Sequence, residues 1–246
     1  MSNATKQTWL ITGGSSGLGK SLAIEALEKG HTVLGTTREI QNAQETFPEF
    51  EENGGIWFAL DPGSVNAYDQ AVKISEAHEI DVVVNNAGYA FIGSVEDTRF
   101  IARPARGTYS ASKFAIEAIH ESLSHEVQSF GIRVLIVEPG AFRTPFASRI
   151  ITPAQYQGNG GFSLGYRGTA VEQMVRGMSN STEFLSLVKG DPQKAARVIL
   201  KAVEEGHEYL RLPLGTDCVV ALESKIGSLQ RDLDLTREMA SSTDVE

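Results

Sequence analysis

The sequence predicts an α/β protein in which helices cover both faces of a parallel, doubly wound sheet. Three observations lead to this fold class. Short apolar runs such as Thr8–Thr12 alternate with longer segments of helical period, which is the pattern of repeated strand–helix units. A glycine-rich turn follows the first strand, and the helix after it carries Leu18, Leu22 and Leu27 on one face. The 246 residues are 41% hydrophobic and 22% charged, as in an ordinary globular protein.

The remaining elements continue this alternation without an internal repeat or a second domain boundary, so residues 1–246 are predicted to form a single domain. The later strands are predicted at His31–Thr37, Ile56–Asp61, Asp81–Asn85, Arg133–Val137 and Tyr209–Leu214. Ser64 is predicted to cap one helix, a long helix runs from Tyr109 to Phe130, and Asp191-Pro192 begins a helix that Gly206 ends. Residues 145–189, rich in glycine and aromatic residues, are predicted to form a substrate loop, and residues 241–246 a frayed tail.

Composition and charge argue against several classes of function. A formal net charge of −9 disfavours a broad basic surface for nucleic acid or anionic membranes, so small metabolites are the expected partners. No apolar run approaches the length of a membrane span, and the first seven residues are polar, which predicts a cytoplasmic location. The single cysteine, Cys218, is predicted to be a small core residue on a helix, and the sequence contains no metal-ligand cluster.

The glycine turn, Thr12-Gly13-Gly14-Ser15-Ser16-Gly17-Leu18-Gly19, allows more than one interpretation. Between a strand and a helix, such a turn lets bare backbone approach a pyrophosphate at the positive end of the helix. Residues 14–21 also satisfy the phosphate-loop pattern of nucleotide triphosphatases, with Asp61 as a candidate magnesium ligand at the end of a strand. A third interpretation is a tight turn with no ligand. The turn alone does not decide among the three.

Three further motifs follow the glycine turn in a fixed order. They are Asn85-Asn86-Ala87-Gly88, the pair Tyr109 and Lys113 in a Y-x-x-x-K pattern, and Pro139-Gly140. Together with T-G-x-x-x-G-x-G, this set resembles the short-chain dehydrogenase/reductase family, in particular members similar to 17β-hydroxysteroid and retinol dehydrogenases. The resemblance extends over essentially the whole chain. It implies a Rossmann-type fold and favours the dinucleotide over the triphosphatase interpretation.

The resemblance also implies a cofactor and the residues that bind it. The second strand ends at Thr37 and Arg38, where a family member that uses NAD usually carries an acid. Because arginine pairs with a 2′-phosphate, NADP (NADPH) is predicted and NAD is less expected. By resemblance, Asp61 lies near the adenine and Thr144 meets the nicotinamide amide. The full predicted cofactor set is Thr12, Gly13, Ser15, Ser16, Gly17, Leu18, Gly19, Thr37, Arg38, Asp61, Asn86, Ala87, Gly88, Tyr109, Lys113, Pro139, Gly140 and Thr144.

Tyr109 and Lys113 are the predicted catalytic residues. Four positions apart on a helix, they share one face. A free phenol has a pKa of ~10, and a nearby ammonium group lowers it by stabilising the phenolate. By resemblance, Tyr109 exchanges a proton with the substrate oxygen while hydride moves between the substrate carbon and the nicotinamide, and Lys113 also holds the nicotinamide ribose. The aromatic residues of the substrate loop favour an apolar alcohol or carbonyl substrate, such as a steroid, a retinoid or an aliphatic ketone.

The sequence departs from the family between Gly88 and Tyr109. Only 20 residues lie there, whereas the family has a helix with a structural asparagine, a strand with the catalytic serine, and a loop. The join falls near Arg99, and neither Ser94 nor Thr98 stands where the serine would be. We therefore expect slow catalysis, a sheet one strand narrower, uncovered apolar positions on the Tyr109 helix, and a monomer or a weakened homodimer. The alternatives are an inactive dinucleotide-binding protein and a truncated isoform or gene-model product.

Overall fold

A computed structural model describes residues 5–88, 107–152, 154–179 and 185–245. The chain divides into two compact units. The first comprises Met1–Ala90, Phe142–Arg149 and Gly190–Glu208, and the second comprises Phe91–Ala141, Ile150–Lys189 and Tyr209–Glu246. Each unit is described by itself. The prediction of a single domain over the whole chain stays a prediction.

The secondary structure alternates between strands and helices through most of the chain. In chain order the elements are β1 (Thr8–Thr12), α1 (Gly17–Glu28), β2 (Thr32–Thr37), α2 (Ile40–Thr46), α3 (Glu49–Glu52), β3 (Ile56–Ala59), α4 (Ala67–Ala77), β4 (Val82–Val84), α5 (Gly107–Val127), β5 (Ile136–Pro139), α6 (Ala170–Ser179), α7 (Pro192–Glu205), β6 (Arg211–Leu214) and α8 (Thr216–Ser241). None of the described helices is long and apolar enough to cross a membrane.

The first unit contains a four-stranded parallel sheet in the order β3-β2-β1-β4. β1 lies inside this sheet, where Trp9 pairs with Val33 on one side and with Val82 on the other. Such strands are covered on both faces, and Trp9, Ile11 and Val33 are accordingly buried. A parallel sheet flanked by helices confirms the predicted α/β fold class.

Helices α1 and α7 pack together through apolar and polar contacts. Leu22 and Ala26 of α1 lie in one buried cluster with Ala196 and Leu200 of α7. The buried Glu25 carboxylate accepts a hydrogen bond from Arg197 at 3.2 Å, which satisfies a charge that burial would otherwise penalise. These contacts hold the middle and carboxyl half of α1 against α7.

The start of α7 confirms the capping prediction. The Asp191 carboxylate accepts from the backbone N–H groups of Lys194 at 3.2 Å and of Gln193 at 2.8 Å, and Pro192 occupies the first turn. These bonds, with the Lys194 N–H the larger cause, lower the pKa of the Asp191 carboxyl. The helix ends at Gly206, as predicted.

The second unit contains a parallel pair of strands, β5 and β6, in which Ile136 is opposite Arg211. The Arg211 guanidinium donates to Glu121 of α5 at 2.7 Å and lies 3.3 Å from the Glu138 carboxylate of β5. Desolvation raises the pKa of Glu138, and Arg211 opposes that rise. One arginine thereby ties α5 to this sheet.

Several local predictions are wrong. The helix after Ser64 begins at Ala67, because the Ser64 hydroxyl bonds to the Asn66 side chain and no side chain caps the helix. The strand expected at residues 133–137 lies at Ile136–Pro139, where its pairing with β6 sets the register. Cys218 is half-buried on α8 rather than in the core, and its thiol donates to the Glu138 carbonyl at 3.1 Å.

The predicted substrate loop at 145–189 contains regular structure. Helix α6 lies within it, and Phe162 packs with Val175 and Met178 in a buried cluster that Tyr166 borders. Two of the aromatic residues expected over a substrate therefore form a small core. Helix α8 ends at Ser241, which is the first residue of the predicted frayed tail.

The expectation of uncovered apolar positions on α5 is confirmed at Ile116 and Ile119, which are 37% and 59% exposed. The predicted join near Arg99, with Ser94 and Thr98, lies outside the described residues.

Leu200→Ala tests the α1–α7 contact. Leu200 is buried in that contact, so truncation should lower the free energy of unfolding by about 2–5 kcal/mol. Val198→Ala, on the same helix at a position 45% exposed, is the control and should change it by less than about 0.5 kcal/mol. Urea denaturation followed by circular dichroism measures both. Equal losses would show that the α1–α7 contact does not stabilise the unit.

Candidate functional site

The glycine turn between β1 and α1 has the backbone that its sequence predicts. Gly13 and Gly17 have φ values of 65° and 59°, in the left-handed region that favours glycine. Gly19, in the first turn of α1, packs so closely that an added Cβ would lie 2.6 Å from the Gly13 carbonyl oxygen and 2.5 Å from Asn86 Nδ2. The turn is therefore folded tightly against the chain that follows β4.

Thr12 and Asn86 hold this turn in place. The Thr12 hydroxyl donates to the Val84 carbonyl at 3.2 Å and accepts from the backbone N–H groups of Asn86 and Ala87 at 2.9 and 3.0 Å. The Asn86 amide donates to the carbonyl oxygens of Thr12 at 2.8 Å and Gly13 at 3.3 Å. Two residues of the predicted cofactor set thus join the carboxyl ends of neighbouring strands.

The amino end of α1 offers donors to an anion. Ser16 precedes the helix in an extended conformation and its side chain makes no capping bond, so the first N–H groups of the helix are not satisfied by a cap. The helix dipole places partial positive charge there. The Ser16 hydroxyl instead accepts from the Arg149 guanidinium at 2.7 Å, which brings a full positive charge to the same end.

A cavity of about 470 Å³ opens at this end of α1, entirely within the first unit. Its lining includes three cationic side chains, those of Lys20, Arg143 and Arg149, and none of its described lining residues is acidic. This local positive charge contrasts with the net charge of −9 on the whole chain. The site therefore favours an anionic ligand.

None of these three cations was predicted from the sequence as part of this site. Lys20 lies within the phosphate-loop pattern of residues 14–21, and its ammonium group is 3.9 Å from the Phe47 ring centroid and 3.5 Å from the Thr46 carbonyl oxygen. Arg143 and Arg149 lie on either side of the predicted Thr144. This proximity in sequence was the only signal that could have placed them at the same site.

The structure brings several predicted residues to this cavity. Ser15, Ser16, Gly17, Thr37 and Thr144 all line it, although the last is more than a hundred positions away in sequence. The Thr144 side chain lies 3.7 Å from the position of a Cβ on Gly17.

Two other predicted residues lie elsewhere in the first unit. Arg38 directly follows β2, is exposed, and is not among the lining residues. The Asp61 carboxylate accepts from the Gly63 N–H at 3.0 Å within a turn, and β3 ends before it at Ala59. No group of residues suited to a metal ion is found in the described part of the chain.

Tyr109 and Lys113 belong to the second unit and lie on α5, as predicted. The Lys113 ammonium group is 5.7 Å from the Tyr109 ring centroid, so the two side chains share one face of the helix. The Lys113 side chain as a whole retains contact with solvent, but desolvation near its amine lowers its pKa from the ordinary value. Ser112 donates to the Tyr109 carbonyl at 2.7 Å and so serves the helix backbone.

Pro139 and Gly140 end β5 in the same unit. The Gly140 N–H donates to the Leu214 carbonyl at 2.8 Å, and the Asp217 carboxylate of α8 occupies the space that a side chain at Gly140 would need. Asp217 also accepts from the Ala141 N–H at 2.8 Å. The sequence analysis missed Asp217, and its signal was an acid in the first turn of a helix that directly follows a strand.

The chain matches the model of a protein family described as short chain dehydrogenase, over residues 7–102 and 90–154. It is 30% identical to the oxidoreductase BOA17 of Botryotinia fuckeliana, with 86% of this chain and 89% of that protein aligned. It is 35% identical to the oxidoreductase claN of Passalora fulva, over 60% of this chain and 87% of that protein. A solved short-chain dehydrogenase from Streptomyces avermitilis superposes with a TM-score of 0.79 at 27% identity and covers 98% of this chain and 100% of its own.

Two details of these matches bear on the short segment after Gly88. The matched parts of the family model overlap at residues 90–102, so this stretch aligns with two separate parts of the family pattern. The alignment with BOA17 runs over 260 positions, more than the 246 residues of the whole chain. That relative therefore contains residues with no counterpart here.

Gly19→Ala tests the close approach at the turn. The added methyl group would meet the Gly13 carbonyl oxygen, which cannot move without the turn, so we expect a loss of about 1–3 kcal/mol in the free energy of unfolding. Gly177→Ala, also in a helix but with open space around it, should leave stability unchanged or raise it by up to about 1 kcal/mol. Thermal unfolding measures both. A neutral Gly19→Ala would contradict the described packing.

Proposed function

The chain belongs to the short-chain dehydrogenase family of oxidoreductases, and we propose that it transfers hydride between NADP(H) and an alcohol or carbonyl substrate. The observation that carries the proposal is the positive cavity at the amino end of α1. Three features of this site suit the phosphates of a dinucleotide. Gly13 and Gly17 leave the backbone without side chains, the end of the helix has uncapped N–H groups, and three cations line the cavity.

The residues of the first unit fit the cofactor in shape as well as in charge. The glycines leave the backbone bare where a pyrophosphate would approach, and Thr12 and Asn86 hold that backbone rigidly. Lys20 and Arg149 would bind phosphate oxygens, and Thr144 would meet the nicotinamide amide. The bound cofactor would supply the hydride-transfer chemistry.

The preference for NADP(H) is part of the proposal. Thr37 and Arg38 stand at the carboxyl end of β2, where a carboxylate would repel a 2′-phosphate. Thr37 lines the cavity, and none of its described lining residues adds negative charge. Arg38 is exposed and free to reorient toward a ligand at the strand end.

Tyr109 and Lys113 would carry the proton chemistry. Tyr109 would give a proton to, or take one from, the substrate oxygen, and the ammonium group of Lys113 on the same face would stabilise the phenolate. The family's catalytic serine has no assigned counterpart, because the segment between Gly88 and Tyr109 is too short to contain its strand, and neither Ser94 nor Thr98 stands where the serine would be. Loss of one such donor typically lowers the rate by ~10²–10³, so we expect slow turnover.

A second candidate function is dinucleotide binding without catalysis. The observation that favours it is the shortness of the segment between Gly88 and Tyr109, which is only 20 residues long. The triphosphatase interpretation is not retained, because the short chain dehydrogenase pattern matches the glycine turn itself. The substrate class stays a proposal: an apolar alcohol or ketone.

Fluorescence titration tests the cofactor preference. NADPH should bind at least about tenfold more tightly than NADH, and Arg38→Asp should remove this difference by placing a negative charge near the 2′-phosphate. Lys20→Met and Arg149→Met should weaken both cofactors. Lys201→Met, an exposed position on α7 outside the cavity, is the control for loss of one positive charge. Equal affinities for NADPH and NADH in the parent chain would remove the role of Arg38.

Tyr109→Phe tests the catalytic assignment with NADPH and a panel of aliphatic, steroid and retinoid carbonyls. Deletion of the proton donor should lower turnover at least about 10²-fold, a much larger effect than the loss of NADPH affinity expected from one of the many predicted cofactor residues. Tyr68→Phe, at a residue 79% exposed on α4, is the matched control. Undiminished turnover in the Tyr109 variant would assign the proton to another residue. Tight NADPH binding with no turnover of any substrate by the parent chain would favour the second candidate function.

A further inference from the structure

Helix α8 is long, and the described residues of its unit cover it only in part. It runs for 26 residues and none of them is buried. Its described hydrogen bonds to other elements are at its start, where Asp217 and Cys218 bond to the backbone around β5. Further along its first half, Ala221, Leu222, Lys225 and Ser228 are half-buried, whereas the described residues from 229 onward are exposed. Gly227 lies in the interior of the helix, where glycine is unfavourable. A helix of this kind depends on packing against something else for its stability.

The apolar residues of α8 follow a heptad pattern. The first position of each heptad is held by Val219, Ile226, Leu233 and Ala240, and the fourth by Leu222, Leu229 and Thr236. Ile226, Leu229 and Leu233 are 57%, 43% and 47% exposed, so the described residues leave the centre of this stripe about half uncovered. Alternating spacings of three and four residues define the seam of a coiled coil.

The residue types on this seam indicate the number and direction of strands. Branched Val219 and Ile226 at the first position, with Leu222 and Leu229 at the fourth, are the combination that favours two parallel helices. A second copy of the same helix supplies an identical stripe in register. Pairing within one chain would require a second helix with the same pattern. The other long helix described in this unit is α5, and Arg211 already ties it to the sheet.

The charges beside the seam complement each other in the parallel arrangement. In register, Asp232 of one helix, at the seventh heptad position, faces Arg237 of the other, at the fifth position of the next heptad. Two such pairs form per dimer by symmetry. Within one chain the Arg237 guanidinium bonds to Asp234 at 3.1 Å. In the dimer it can be shared between Asp234 and Asp232 of the other helix.

We propose that α8 is a dimerisation element, which forms a two-stranded parallel coiled coil with α8 of a second copy of this chain. The seam residues are not among the cofactor and catalytic residues proposed above, and the dimer does not depend on the proposed activity. The seam from Val219 to Ala240 spans three heptads, near the lower limit for a stable coiled coil.

Sedimentation equilibrium of the full chain between about 1 and 100 μM, a range suited to micromolar dissociation constants, tests the proposal. The parent chain should dimerise in this range. Leu229→Glu places a charge on the seam and should raise the dissociation constant at least about tenfold. Leu235→Glu makes the same change off the seam, at a residue 79% exposed on the same helix, and should leave the constant within about twofold. A monomeric parent, or equal effects of the two variants, would overturn the proposal.

A charge exchange tests the strand direction without touching the apolar seam. Asp232→Arg and Arg237→Asp should each weaken dimerisation, and the double variant should restore it, because the opposite charges again face each other. Circular dichroism of each variant verifies that the fold is kept. A double variant no better than the single variants, with the fold intact, would exclude the parallel pairing of α8. A dimer unaffected by every change on α8 would show that the copies meet elsewhere, on α5 for example.

Discussion

The hydrogen bonds between Thr12 and Asn86 are the interaction on which the candidate cofactor site depends. They join the carboxyl ends of β1 and β4, and the same Asn86 amide lies so close to Gly19 that no side chain fits between them. The glycine turn is held from both sides as a result: by β1 behind it and by the chain after β4 beside it. A rigid turn keeps the first N–H groups of α1 pointing at one place, which is the condition for binding an anion without a cost of ordering the loop.

The charge at the candidate site is opposite in sign to the net charge of the protein. The chain carries a net charge of −9, yet the cavity at the start of α1 is lined by three cations and, among the described residues, by no acid. A negative average repels anions in general, whereas a local positive cavity with a helix dipole behind it attracts them to one place. The Arg149–Ser16 bond has a part in this, because it holds a mobile guanidinium at the helix end before any ligand arrives.

Elements whose pattern is local were predictable from the sequence, and those set by distant partners were not. β1 and the capped start of α7 depend on a short apolar run and on Asp191-Pro192, and both agree with the structure. The position of β5 depends on its pairing with β6, more than seventy residues later, and the prediction missed it by three residues. The family resemblance implied a role for Thr144, but Arg149 became visible only when folding placed it beside Ser16.

The bond from Asp217 to the backbone after Gly140 has a consequence for regulation. Asp217 stands in the first turn of α8, while Pro139 and Gly140 belong to the predicted cofactor set, so one carboxylate connects the start of the long helix to that turn. If two copies associate through α8, a shift at the helix start would be felt at the turn, and cofactor affinity would then vary with protein concentration. By thermodynamic linkage the effect is reciprocal, so cofactor would alter self-association by the same factor.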